Sequence, residues 1–85
     1  MKLERETVRA AIRAQVIKLA SELGMDASEI GDDDVIPATG LLDSTAILQL
    51  VVWYEQTYDF PLKQNEINID NLGSINAMSE FLLAR

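Results

Sequence analysis

An amphipathic repeat near the amino end of the chain most limits how it can fold. Apolar residues recur at spacings of 4, 4, 3 and 4, at Val8, Ile12, Val16, Leu19 and Leu23. This spacing places them on one face of a helix and predicts a helix over residues 4–23. Gly24 follows as a plausible carboxyl-terminal stop. A single amphipathic helix gains most of its stability from packing, so the rest of the chain must cover this face.

The remaining pattern is also helical. Asp43 is a good N-cap for a second helix over residues 44–58, and Phe60-Pro61 marks the break after it. A short helical turn is expected around Ile67–Leu72, and a last helix is expected after Ser74, with Ile75, Met78, Phe81 and Leu82 buried. Strand signals are weak. The sequence therefore predicts an all-α fold, a four-helix bundle of three main helices plus one short helix, in one domain over residues 1–85.

A long acidic segment, residues 25–43, joins the first two helices and is called the connection below. Pro37 bars a continuing helix there and biases Ile36 toward extended geometry. A loop this long is usually functional or held down by its own apolar side chains. The candidates for holding it are Ile30, Val35, Ile36, Leu41 and Leu42.

Missing residue types exclude several classes of function. The chain has no cysteine and no histidine, so it has no disulfide, no thiolate nucleophile and no Ser-His pair. Its first residues lack the apolar core of a signal peptide, and its longest strictly apolar run, Leu50–Tyr54, is too short to span a membrane. We expect a cytoplasmic monomer that is not an enzyme and does not bind membranes.

The charge is strongly uneven along the chain. The net charge is −7, and residues 19–62 carry nine acids and no base. This repels phosphate backbones, so we expect no nucleic-acid partner, and it favours partners with basic surfaces. Asp32-Asp33-Asp34 lacks the ligand pattern of a calcium loop, so no metal site is predicted. Arg5, Arg9 and Arg13 are interpreted as a solvated helix face.

The second helix has more apolar residues than one buried face requires. Its predicted core stripe is Ile47, Leu50, Val51, Tyr54 and Tyr58. Leu48 and Val52 point elsewhere, together with Thr45 and Gln49, and Leu41 and Leu42 could extend this second patch. An exposed apolar patch commonly marks a partner surface. The alternative is that a neighbouring loop or helix covers it, and the sequence leaves both open.

Ser44 begins this helix, and its hydroxyl is the most informative group in the chain. A serine at a helix start is most often a cap or a first-turn residue. As a nucleophile it would need an activating base; Lys63 is the formal candidate, and nothing in the spacing supports it. Ser44 is therefore a poor catalyst, but it could accept a group that another enzyme attaches.

At this point the residues resemble a known family. Gly40-Leu41-Leu42-Asp43-Ser44, followed by the apolar helix, is similar to the prosthetic-group site of acyl and peptidyl carrier proteins. The likeness continues through Tyr58-Asp59-Phe60-Pro61-Leu62 and Asp70-Asn71-Leu72-Gly73-Ser74-Ile75, and it covers essentially the whole chain. The Asp-Ser pair alone is a weak signal. Its place in the middle of an acidic helical chain of 85 residues makes it more specific.

The resemblance implies a fold, a cofactor and partners. The family folds as a four-helix bundle, and its serine receives 4′-phosphopantetheine from coenzyme A through a phosphopantetheinyl transferase. The thiol of that arm carries acyl or aminoacyl groups as thioesters from an adenylating ligase to a downstream acyl-processing enzyme. The matching residues for the cofactor are Ser44 and Asp43. Those for partner contact are Leu42, Thr45, Leu48, Val52 and Glu55.

Three departures narrow this expectation. Thr45 stands where the family usually has a larger apolar residue, Gln49 where many fatty-acid carriers have an acid, and Trp53 is bulky for its place. They disfavour a carrier of fatty-acid synthesis. The closing segment Asn71-Leu72-Gly73-Ser74-Ile75 resembles small freestanding carriers served by a stand-alone ligase, a group that includes D-alanyl carriers and carriers of specialised metabolism. The alternative is an unmodified helical docking module that uses Leu48 and Val52, and an enzyme is a distant third.

Overall fold

A computed structural model gives the fold and describes residues 4–84. The predicted all-α fold is confirmed: helices α1 (Arg5–Glu22), α3 (Ser44–Thr57) and α5 (Ile75–Leu83) are the three main ones, and no strand occurs in this range. Two helical segments of four residues each, α2 (Ile36–Thr39) and α4 (Ile69–Leu72), lie between them. The predicted single domain also includes residues 1–3 and 85, which lie outside the described range, and it stays a prediction.

Helix α1 buries the predicted stripe at Val8, Ile12, Val16 and Leu19. Leu23 does not join it and is 44% exposed, because the helix ends at Glu22. The chain reverses at Gly24, whose φ of 76° is the left-handed geometry that glycine adopts without strain. The N–H of Met25 then donates to the carbonyl of Ala20 at 2.8 Å, which closes the end of the helix.

The connection contains a helical turn that the sequence did not predict. Pro37 was expected to bar a helix and to make Ile36 extended, but both lie in α2, and the extended residue is Val35. The reason is that proline lacks only an N–H, which in the first turn of a helix has no intrahelical partner. Of the residues expected to hold the connection, Ile30, Ile36 and Leu42 are buried, Leu41 is half-buried and Val35 is exposed.

Helix α3 ends one residue earlier than predicted, at Thr57. Beyond it, Asp59 adopts a φ of 47°, and the N–H of Phe60 donates to the carbonyl of Glu55 at 2.9 Å. The side chains around this end form edge-to-face ring contacts, with centroids 5.5 to 6.0 Å apart, among Trp53, Tyr54, Tyr58, Phe60 and Phe81.

The carboxyl-terminal part follows the prediction closely. The short turn expected near Ile67–Leu72 is α4, preceded by a 3-10 turn over Gln64–Glu66. Ser74 is the N-cap of α5, as predicted, and accepts from the N–H of Ala77 at 3.0 Å. Of the predicted stripe, Ile75, Met78 and Leu82 are buried and Phe81 is half-buried.

The core lies where α1, α3 and α5 meet, since α1 packs on both of the others. Tyr54 is fully buried in it, and its hydroxyl donates to the carbonyl of Met78 at 2.8 Å. This hydrogen bond fixes α3 against α5. None of the helices within residues 4–84 is long and apolar enough to cross a bilayer.

Candidate functional site

The candidate site begins where α3 begins. Asp43 is extended, and its carboxylate accepts from the N–H of Ala46 at 2.8 Å, so it is the N-cap that the sequence predicts. Ser44 is therefore the first helical residue, and its side chain is exposed. The arrangement presents one hydroxyl to solvent at the amino end of a helix, where the N–H groups and the helix dipole favour a negatively charged group.

The end of the connection, just before Ser44, is a hydrogen-bonded turn. Gly40 has a φ of 73°, and the Thr39 hydroxyl links the turn by donating to the carbonyl of Ile36 at 2.7 Å and accepting from the N–H of Leu41 at 3.2 Å. Leu42 is only 4% exposed and belongs to the core. The expectation that Leu42 contacts a partner is therefore corrected, because its side chain turns inward to anchor the connection.

The outer face of α3, made of Thr45, Leu48, Gln49 and Val52, is exposed at every position. Leu48 is 63% exposed and Val52 41%. The opposite side of the helix packs inward, with Leu50, Val51 and Tyr54 buried and Ile47 and Tyr58 half-buried. The sequence left open whether Leu48 and Val52 are exposed or covered by a neighbouring element, and in the structure they are exposed.

Glu55 lies one turn further along α3 and is half-buried. Its carboxylate accepts from the backbone N–H of Leu62 at 2.9 Å, which ties the segment after α3 back onto the helix. The side chain therefore has a structural partner within the chain. Its predicted contact with a partner protein would have to use the remaining carboxylate surface.

Arg9 and Arg13 of α1 do not form the solvated face that the sequence suggested. Arg13 donates both to the carbonyl of Ile30 and to the carboxylate of Asp32, and Arg9 lies 3.9 Å from the same carboxylate. The interpretation is corrected for these two residues, because the connection folds back across α1 and brings Asp32 opposite them. The pattern within α1 alone cannot show this, since the partner is 19 residues away from Arg13.

The neighbouring aspartates have separate partners. The Asp33 carboxylate accepts from the side-chain amide of Asn76 at 3.0 Å, and the Asp34 carboxylate accepts from the N–H of Gly31 at 2.8 Å. Within residues 4–84, no group of three or more metal-ligating side chains comes together. The aspartates of this run thus organise the connection.

Within residues 4–84, hydrogen bonds or burial shift the pKa values of Arg5, Asp26 and Tyr58. The hydrogen bond to Glu80 raises the pKa of Arg5. The hydrogen bonds from Ser28 lower the pKa of Asp26. Burial raises the pKa of Tyr58, because it disfavours the charged phenolate.

An apolar cleft of about 150 Å³ opens beside α3, between α2 and α4. Sequence reasoning missed it, since it forms only where three separate elements meet. Its walls include Ile36 and Ile47, and the exposed side chains of Ile67 and Ile69 stand at its edge. The sequence feature that could have indicated the cleft is the pair of isoleucines before α5, Ile67 and Ile69.

Curated relatives of this chain share the name D-alanyl carrier protein. The one from Streptococcus sanguinis (strain SK36) is 34% identical over 70 residues, which are 81% of this chain and 87% of that protein. Those from Streptococcus gordonii and Streptococcus mutans are 33% identical over the same shares. No protein-family profile and no solved structure matches the chain.

The sequence, the fold and the relatives agree. The relatives are carriers rather than enzymes, their match covers more than two thirds of this chain, and the helical fold is the one that the resemblance implied. The chain therefore belongs to the acyl and peptidyl carrier protein family and is a carrier, not an enzyme.

Proposed function

We propose that this chain is a freestanding carrier that holds acyl or aminoacyl groups as thioesters on a 4′-phosphopantetheine arm attached to Ser44. The observation that carries the proposal is the exposed Ser44 hydroxyl at the first position of α3, directly after its N-cap Asp43. Attachment needs a hydroxyl that a second enzyme can reach, and this one projects from a helix end rather than from a pocket.

The surroundings of Ser44 suit a phosphodiester. A phosphate at this position would lie next to the amino end of a helix of 14 residues, which stabilises negative charge. The Asp43 carboxylate is turned toward the N–H of Ala46, which offsets part of its charge. The arm would supply the thiol that forms the thioester, in a chain that has no cysteine.

The partners follow from the same chemistry. We propose a phosphopantetheinyl transferase that attaches the arm, an adenylating ligase that loads it, and a downstream enzyme that takes the cargo, all in the cytoplasm. The exposed side chains of Thr45, Leu48 and Val52 offer them contact area. The acids of residues 19–62 favour partners with basic surfaces. Among aminoacyl cargoes, the names of the curated relatives favour D-alanine.

Incubation with coenzyme A and a broad-specificity phosphopantetheinyl transferase tests the proposal. The intact mass of the chain should increase by one phosphopantetheine, as the Ser44 oxygen replaces the nucleotide half of coenzyme A on the phosphorus. Ser44→Ala should prevent the increase, whereas Ser28→Ala, at another exposed serine, should not. A wild-type chain that gains no mass with several such transferases would refute the proposal.

The second candidate is an unmodified docking module. It is favoured by the 63% exposure of Leu48, a large apolar side chain on the outer face of α3. Under this alternative, Ser44→Ala would keep all activity, while Leu48→Asp would abolish partner binding. The carrier proposal predicts that both substitutions matter.

A further inference from the structure

Two arginines of α1 face the connection that leads to Ser44, and Arg13 makes the closer contacts, since Arg9 lies 3.9 Å from the Asp32 carboxylate. Arg13 donates through one guanidinium nitrogen to the carbonyl of Ile30 and through the other to the carboxylate of Asp32. Both Arg13 and Asp32 are partly exposed, at 31% and 38% of their side chains. A planar guanidinium can make two such contacts at once, which a lysine ammonium cannot reproduce in this geometry.

The opposite side of the same segment is fastened to the carboxyl-terminal part of the fold. The carbonyl of Asp32 accepts from the N–H of Asn76 in the first turn of α5, at 2.8 Å. The N–H of Ile36, where α2 begins, donates to the carbonyl of Gly73 at 2.7 Å. Residues 30–36 are thus held between α1 and the carboxyl-terminal part of the fold, and Arg13 makes the side-chain hydrogen bonds on the α1 side.

We propose that Arg13 is a positioning residue for Ser44: it latches the connection to α1 and so keeps the amino end of α3 in the form that the modifying transferase recognises. This inference rests on the proposed modification of Ser44. Four apolar side chains of the connection are buried, namely Ala27, Ile30, Ile36 and Leu42. With so few buried contacts, the connection is the segment expected to open locally before the helices do.

The latch has a kinetic signature. If the connection opens in a fraction of the molecules, the transferase meets fewer competent ones, and KM for the carrier rises as the reciprocal of the competent fraction while kcat stays the same. A residue that adds only to global stability would leave KM unchanged well below the melting temperature, because nearly every molecule would still be folded. The two roles therefore separate in one assay.

Hydrogen exchange and transferase kinetics on three Arg13 variants test the proposal. Arg13→Lys keeps the charge, Arg13→Gln removes both contacts, and Arg13→Glu adds repulsion against Asp32. We expect amide exchange in residues 30–43 to accelerate on the order of tenfold in Arg13→Gln, with α3 and α5 little changed. For Arg13→Glu we expect KM to rise roughly threefold or more at constant kcat. The matched controls are Arg5→Gln and Arg5→Glu. Arg5 lies on α1, as Arg13 does, and forms an exposed ion pair with Glu80 of α5.

The outcomes separate the two proposals. Exchange that rises equally in all three main helices, or no more than in the Arg5 controls, would overturn the latch. Faster exchange in residues 30–43 with an unchanged KM in Arg13→Glu would overturn the positioning role. A wild-type chain that is never modified would overturn the carrier proposal, and the positioning role with it. Should Arg13→Glu fail to fold, exchange and KM are compared for Arg13→Gln instead, and an unchanged KM there would overturn the positioning role.

Discussion

Asp43 and Ser44 divide two tasks at the start of α3. The Asp43 carboxylate satisfies a backbone N–H of the first helical turn, and Ser44, one residue later, keeps its side chain exposed. Both roles could be predicted from the sequence, because an N-cap and the residue after it are defined by local geometry. The burial of Leu42 could not, since it depends on how the connection folds back onto the core.

The buried hydroxyl of Tyr54 gives a prediction for a single side chain. Tyr54→Phe removes its hydrogen bond to the Met78 carbonyl and should lower the free energy of unfolding by about 0.5–1.5 kcal/mol. Urea denaturation measures the loss. Tyr58→Phe, whose ring lies 5.9 Å from that of Tyr54 and is only half-buried, should cost less at neutral pH. Equal losses in the two variants would contradict this role.

The raised pKa of Tyr58 predicts that the stability of the fold declines at alkaline pH. Burial raises its pKa in the folded chain, so the folded state holds the phenol proton more tightly than the unfolded state. This contribution to stability is complete below the ordinary tyrosine pKa of about 10 and is lost as pH rises toward the raised value. Unfolding of wild type and Tyr58→Phe across this range should show a steeper decline for wild type. Parallel curves would contradict the prediction.

At the scale of the element, the ends of the helices show what the local sequence can predict. The caps at Asp43 and Ser74 and the stop at Gly24 are set by neighbouring residues, and the structure confirms them. Helix α2 escaped prediction because proline was expected to exclude a helix, whereas here it lies in the first turn. The Arg13–Asp32 contact and the apolar cleft could not be predicted, because they join elements that are far apart in the chain.

The end of α3 gives a prediction at this scale. Asp59 adopts a φ of 47°, a left-handed geometry that costs energy for a residue with a side chain, and it places a carboxylate near a helix carboxyl end. Asp59→Gly should therefore raise the free energy of unfolding by about 1 kcal/mol. Asp59→Ala removes the charge but keeps the strain, so it should gain less. Thermal or urea unfolding compares them, and a glycine variant no more stable than the alanine variant would refute the strain argument.

Across the whole molecule, one side of α3 builds the core while the other stays open. Tyr54 and Leu50 face inward, and Leu48 and Val52 face outward. Periodicity predicted this division into two faces. It did not predict the exposure of the outer one, because cover by a neighbouring element is a property of the complete fold.

The outer face predicts a defect in docking that leaves the fold unchanged. Leu48→Asp should weaken recognition by the transferase at least about tenfold in kcat/KM, since it places a charge in an apolar contact area. Circular dichroism should stay the same because Leu48 is 63% exposed. Met25→Asp, at an apolar residue that is 42% exposed and lies outside α3, is the control. Equal rates for the two variants would argue against docking through this face.

A thiol titration tests the central claim most directly. The chain has no cysteine, so a thiol-reactive reagent can label only a thiol that modification introduces. After incubation with coenzyme A and a phosphopantetheinyl transferase, and removal of free coenzyme A, we predict one thiol per chain for wild type and none for Ser44→Ala. A wild-type chain without a thiol, or a Ser44→Ala chain that retains one, would contradict the assignment of Ser44 as the attachment site.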